Sequence, residues 1–173
     1  VYGGAEGFYK WLYDRPVETE GNRPPRFVRT IDVFGSGGCS GNPVAVVLDA
    51  EGLSEEEMQR FARWTNLSET AFVSPPTGDK ADYRVRIFTP ALELPFAGHP
   101  TLGTCHAWLE AGGDPSDPAE IVQECGAGPV RIRREDDRLY VHSEASHPAR
   151  WHYVRATSDA ARSLDATDAH VTF

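Results

Sequence analysis

The stretch of sequence that decides the fold is GHPTLGTCHAWLEA, residues 98–111. Proline is favoured at the start of a helix, so Pro100 indicates that a helix begins within this stretch. Glu110 is the one charged residue in its second half, so the helix is apolar nearly all round and is expected to be central to the domain. We expect almost complete burial of three of its side chains, Leu102, Cys105 and Leu109.

Strand patterns lie on both sides of this helix in the sequence. We predict strands at 26–34, 43–48, 70–74, 83–88, 120–124, 130–133 and 139–143. Many strands and few helices, one of them buried, indicate an α+β fold. A curved mixed β-sheet wrapped around a central α-helix would satisfy this order.

A second helix is marked by the residues at its beginning. Ser54 is a good N-cap, and Glu57 follows three residues later, which is the pattern of a capping box. Leu53 and Met58 occupy the positions of a hydrophobic staple. We expect this helix to end near Thr65 and to pack one apolar stripe against a core.

The composition is that of a globular chain of 173 residues, which suits one domain with tails. Its 17 basic and 26 acidic residues give a net charge of −9, which argues against nucleic-acid binding. No apolar run approaches the roughly 20 residues of a membrane helix. Cys39, Cys105 and Cys125 lack the spacing of a disulfide framework or a zinc site, so we expect reduced thiols and a cytoplasmic protein.

Two segments are candidates for chemistry. Glu69 comes just before the apolar run 71–73, and a carboxyl in such a place can have a raised pKa, as a proton shuttle requires. His99 opens the buried helix, where backbone N–H groups can bind an anion, and Gly98 allows close approach of a ligand. An ordinary solvated glutamate and a plain N-cap histidine are the alternatives that the sequence leaves open.

Five motifs, in order and with the right spacing, resemble the PhzF-like family of isomerases from phenazine biosynthesis, relatives of diaminopimelate epimerase. The resemblance covers residues 26–143 and is specific. The motifs are Ile31-Asp32-Val33-Phe34, Ser40-Gly41-Asn42-Pro43-Val44-Ala45-Val46, Asn66-Leu67-Ser68-Glu69-Thr70, Phe88-Thr89-Pro90, and Glu93-Leu94-Pro95-Phe96-Ala97-Gly98-His99-Pro100-Thr101-Leu102-Gly103.

The resemblance implies an isomerase that moves a proton on a small carboxylated substrate, cyclic or derived from an amino acid, without metal or organic cofactor. It implies that Glu69 is the acid–base residue and that His99 contacts the substrate at the helix start. The epimerase relatives have a catalytic cysteine at the place of His99, so a two-thiol mechanism is not expected. The residues expected to bind substrate are Ser68, Gly98, Asn42 and Thr101.

The resemblance also implies a two-lobed enzyme with its active site between the lobes. Residues 26–143 correspond to the N-terminal lobe, and nothing in the sequence matches the aspartate-containing motif of the second. We expect an N-terminal extension over 1–25 and a divergent tail over 144–173. The chain is then half of a site that needs a homodimer or a second-lobe partner, or else a non-catalytic remnant or small-molecule-binding fragment.

Overall fold

The computed structural model describes residues 26–36, 38–136, 138–142, 151–154 and 169–171. Two helices are present in these ranges, α1 (Glu55–Thr65) and α2 (Gly98–Glu110). The strands are β1 (Arg26–Val33), β2 (Asn42–Val47), β3 (Glu69–Ser74), β4 (Tyr83–Phe88), β5 (Glu93–Leu94), β6 (Glu120–Cys125), β7 (Gly128–Glu135), β8 (Arg138–His142), β9 (Trp151–Val154) and β10 (Ala169–Val171).

The expected extension over 1–25 lies outside the described residues, as does most of the expected tail over 144–173. The described parts of that tail are β9 and β10, which pair with β8 and β1. These two strands and the short β5 were not predicted, because none of them has a long apolar pattern of its own.

The strands form one mixed sheet in the order β10-β1-β2-β3-β4-β6-β7-β8-β9, with β5 paired to β4. Two neighbouring pairs are parallel, β2 with β3 and β4 with β6. Parallel neighbours need a crossover connection. Helix α1 lies in the first crossover and α2 in the second.

The sheet curls around α2, as the sequence predicts. Strands β1 and β8 both contact α2, although five strands separate them in the sheet order. Six inter-strand spacings of about 4.8 Å would hold β1 and β8 about 29 Å apart in a flat sheet. Curvature brings both onto one helix that is about 10 Å wide.

The two faces of the sheet bury separate apolar clusters. Along β2, Val44 and Val46 belong to the inner cluster with α2, and Ala45 and Val47 belong to the outer cluster with α1. This division follows from the alternation of side chains along a strand. Because β2 is covered on both faces, its sequence from Pro43 to Val47 is apolar without a break.

The central helix is buried as expected over residues 100–105. Leu102 is 1% exposed and Cys105 is fully buried, whereas Leu109 is only partly buried, so the expectation of almost complete burial is wrong for Leu109. The helix is emerging from the curled sheet at that point. It begins at Gly98, which makes Pro100 its third residue.

The capping box of α1 is confirmed. The Ser54 hydroxyl accepts from the backbone N–H of Glu57 at 3.2 Å, and the Glu57 carboxylate accepts from the backbone N–H of Ser54 at 2.8 Å. Leu53 and Met58 are both buried in the outer cluster. The helix ends at Thr65, and its C-cap, Asn66, has a φ of 54°, which lies in the left-handed region.

Candidate active site

Glu69 and His99 meet where β3 and α2 begin. Nε2 of His99 lies 3.2 Å from Oε2 of Glu69. The two atoms are not aligned as a hydrogen bond, and neither has another hydrogen-bond partner among the described residues. Buried polar atoms are nearly always paired, so a buried carboxylate oxygen and a buried imidazole nitrogen with unused capacity need an explanation.

Burial sets the electrostatics of this pair. The Glu69 side chain is 17% exposed and the His99 side chain 10%. Loss of water raises the pKa of Glu69 above its ordinary 4.5, because the charged carboxylate is the form that burial disfavours. The same loss of water lowers the pKa of His99, and the backbone carbonyl of Pro43 opposes that shift. Both changes favour the uncharged forms.

The simpler alternatives for these two residues do not fit this geometry. Glu69 is the first residue of β3 and points into a largely buried space, so it is not a solvated loop glutamate. The N-cap of α2 is Ala97, so His99 is the second residue of the helix and not its cap.

Asn42 connects the parts of the site. Nδ2 of its side-chain amide lies 3.3 Å from Nδ1 of His99, and its Oδ1 accepts from the Ser68 hydroxyl at 3.4 Å. Whether Nδ1 accepts from this amide or donates to the Pro43 carbonyl depends on the tautomer of the imidazole. The parallel register of β2 and β3, with Val44 opposite Glu69, places Asn42 and Ser68 at the same end of the two strands.

The start of α2 is open to a ligand. Its N-cap, Ala97, makes no side-chain hydrogen bond to the first turn. Gly98 is exposed, and outside its own helix and chain neighbours no described atom lies within 4 Å of the place where a Cβ would be. Backbone N–H groups at such a helix start attract anions such as a carboxylate.

Thr101 differs from the other predicted substrate-binding residues in its surroundings. Its side chain is fully buried, and its hydroxyl accepts from Nε2 of Gln123 at 3.0 Å. The hydroxyl is therefore turned toward β6. Its contact with substrate stays a prediction.

One residue that shapes the site is absent from the sequence-based candidates. The Asp32 carboxylate accepts from the backbone N–H groups of Ser40 and Gly41 at 3.0 and 2.9 Å. A Cβ on Gly41 would lie 2.2 Å from the carbonyl oxygen of Val33, so the chain turns here with no room for a side chain. These contacts fix the turn that leads into Asn42. The sequence signal that could have identified Asp32 is a carboxylate within the apolar pattern of β1.

No group of three side chains with metal-ligand character occurs within the part of the chain that the structure describes. In the same part, neither helix has the length and the apolar character needed to cross a bilayer. The chemistry that the site offers is that of one carboxyl, one imidazole, polar side chains and a helix start.

Comparison with known proteins gives consistent matches. The family model described as phenazine biosynthesis-like protein matches residues 31–171. The chain is 56% identical over 110 residues to the Schizosaccharomyces pombe protein named Antisense-enhancing sequence 1, covering 64% of this chain and 37% of that protein. It is 46% identical over 126 residues to trans-2,3-dihydro-3-hydroxyanthranilate isomerase of Pseudomonas aeruginosa, covering 72% and 44%.

Solved structures agree with the sequence matches. The crystal structure of the Bacillus anthracis phenazine biosynthesis protein of the PhzF family superposes with a TM-score of 0.59 at 37% identity, covering 69% of this chain and 40% of that one. The chain thus spans less than half the length of these relatives. Its fold is that of PhzF and epimerase-like proteins, and its similarity is to isomerases. The chain belongs to the phenazine biosynthesis-like (PhzC–PhzF) family.

Proposed function

We propose that this chain supplies one wall of an isomerase site in which Glu69 moves a proton on a small carboxylated substrate, without a cofactor. Glu69 takes a proton from a carbon atom, becomes a carboxylic acid, and returns the proton at a second position. The observation that carries the proposal is the buried pair of Glu69 and His99, 3.2 Å apart, with both facing atoms unpartnered within the described residues. The raised pKa of Glu69 suits a group that both accepts and returns a proton.

The substrate carboxylate fits the start of α2. The space beside Gly98 is open, and the uncapped first turn offers positive electrostatic potential there. His99 would hold the charge that develops on the substrate, while Ser68 and Asn42 supply further hydrogen bonds. The relative from Pseudomonas aeruginosa is named for trans-2,3-dihydro-3-hydroxyanthranilate, a cyclic carboxylate of this class.

The other wall of the site would come from a second lobe. Coverage of 37–44% of the matched relatives supports this part of the proposal. The remainder of a longer chain, a second copy of this chain or a separate partner would supply that wall. Three free cysteines, of which Cys105 and Cys125 are buried, suit a reducing cytoplasm.

The test is deuterium incorporation from heavy water into trans-2,3-dihydro-3-hydroxyanthranilate, followed by mass spectrometry. The chain is assayed alone and with the C-terminal remainder of the Pseudomonas aeruginosa relative. We expect incorporation that Glu69→Gln abolishes and that Glu51→Gln, an exposed control, leaves unchanged.

Two outcomes would contradict the proposal. Incorporation that survives Glu69→Gln would remove Glu69 from the acid–base role. Binding of the probe without incorporation, in both the single-chain and the mixed assay, would favour the alternative of a non-catalytic binding fragment.

A further inference from the structure

A chain of hydrogen bonds crosses the apolar interior beneath the site. The Tyr83 hydroxyl donates to Oε1 of Gln123 at 3.0 Å, and Nε2 of Gln123 donates to the Thr101 hydroxyl at 3.0 Å. Tyr83 is 1% exposed, and Gln123 and Thr101 are fully buried. The three side chains link β4, β6 and the first turn of α2.

Placing these polar side chains in an apolar interior costs free energy of folding, which their hydrogen bonds must offset. Burial of an amide between apolar layers is favourable only when its hydrogen bonds are satisfied, and an apolar residue at position 123 would avoid the problem. Burial, followed by the neighbouring Cys105 thiol, raises the pKa of Tyr83 well above its ordinary value. The Tyr83 hydroxyl therefore keeps its proton and remains a donor to Gln123.

The position of Thr101 connects this chain to the site. Thr101 follows His99 by two residues, within the same helical turn. No side chain caps that turn, since Ala97 is the N-cap, and Gly98 adds no packing there. Two side-chain hydrogen bonds tie this turn to the sheet, one between Asn42 and His99 itself and one between Gln123 and Thr101.

We propose that Gln123 is a positioning residue, which is held by Tyr83 and, through Thr101, fixes the rotation of the first turn of α2 and thereby the place of His99 against Glu69. A helix that turned slightly about its axis would carry the imidazole away from Oε2 of Glu69. Proton transfer requires close positioning of the groups involved, so even a small displacement of the imidazole should slow it. The role of this contact in turnover rests on the proposed function, whereas its effect on His99 does not.

Thr104 provides a matched control. It lies three residues after Thr101 on α2, its side chain is also fully buried, and its hydroxyl has no hydrogen-bond partner among the described residues. Thr101→Val and Thr104→Val remove the same hydroxyl at nearly constant volume. Only the first breaks the contact with Gln123.

The experiment is an NMR titration of the His99 imidazole in the full chain, with the signal assigned by its loss in His99→Asn. We expect Thr101→Val to raise the pKa of His99 toward its ordinary 6.5, because water reaches a displaced ring. Thr101→Ser should restore the original value, and Thr104→Val should not change it. Gln123→Leu combined with Thr101→Val should add little to either change alone.

Equal effects of Thr101→Val and Thr104→Val, or no rescue by Thr101→Ser, would overturn the positioning role. If Thr101→Val does not fold, the same titration of His99 is made in Tyr83→Phe, which removes the hydroxyl that donates to Gln123. In the deuterium assay the Thr101→Val chain should show a lower kcat with little change in KM. A changed His99 titration without Glu69-dependent deuterium incorporation would refute the proposed function and leave the positioning role standing.

Discussion

At the scale of single residues, the site depends on one carboxyl that is partly removed from water. Because burial raises the pKa of Glu69, the folded chain holds a proton on this group at pH values where the unfolded chain has released it. This contribution to stability is present at low pH. It is lost as the pH rises from the ordinary 4.5 through the folded-state pKa.

A comparison of wild type with Glu69→Gln should show this loss. We expect the free energy of unfolding of Glu69→Gln, relative to wild type, to increase as the pH rises through that window and then to level off. Urea titrations between about pH 4 and about pH 8 would measure it. His99 is common to both chains, and Glu51→Gln serves as the exposed control. A difference that stays flat or falls would contradict the burial of this carboxyl.

Two glycines of α2 should respond oppositely to alanine. At Gly103 a Cβ would lie 2.5 Å from Cγ1 of Val44 and 2.9 Å from Cγ2 of Val33, so Gly103→Ala should destabilise the fold by about 1–3 kcal/mol. At Gly98 the same methyl group meets open space, so Gly98→Ala should preserve stability or raise it by up to about 1 kcal/mol.

Of these two glycines, only Gly98 faces the proposed ligand. Gly98→Ala should therefore weaken binding of a carboxylated substrate, which calorimetry would measure, while urea titration reports stability. Unchanged binding by Gly98→Ala would argue against a substrate carboxylate at the helix start.

At the scale of elements, α2 contributes Leu102, Cys105 and Ala107 to the inner cluster, and the strands contribute the rest of its buried residues. Leu102 is 1% exposed within the inner cluster, and Leu102→Ala should cost about 2–5 kcal/mol. Leu109 is partly buried where the helix leaves the curled sheet, so Leu109→Ala should cost distinctly less. Denaturant titration of the two variants checks this order, and equal losses would contradict the described path of α2.

Local signals at this scale were readable from the sequence. The capping box of Ser54 and Glu57 spans four residues, and the strand pattern of β4 lies within six, so neighbouring residues specify them. The contacts of the site are of another kind. Asn42 with His99 and Gln123 with Thr101 are polar pairs from distant segments, and only the curvature of the sheet brings them together.

The local sequence pattern and the family motifs contributed differently to the identification of Glu69 and His99. Local pattern alone allowed a solvated glutamate and a helix cap, and the family motifs were needed to select the two residues as a pair. Asp32 stands in the first family motif but was assigned no role in the site, and neither pattern nor motif pointed to Gln123. Their partners are backbone N–H groups in one case and a buried hydroxyl in the other, and a linear sequence does not display them.

At the scale of the whole molecule, one wall cannot hold a substrate still or exclude water from it. We expect the chain alone to incorporate deuterium slowly, and a supplied second lobe to speed this by at least about tenfold. Mass measurement in solution would show whether two copies pair. Fast, Glu69-dependent incorporation by a strict monomer would contradict the half-site.

The hydrogen bond between Asn42 and His99 spans 57 residues of chain. Contacts of such separation close large loops and form late in folding, after local helices and neighbouring strand pairs. Until α2 settles into the curled sheet, the imidazole and the carboxyl remain far apart. A nascent or partly folded chain therefore lacks the assembled pair of imidazole and carboxyl, so we expect the proposed proton transfer to require the completed fold.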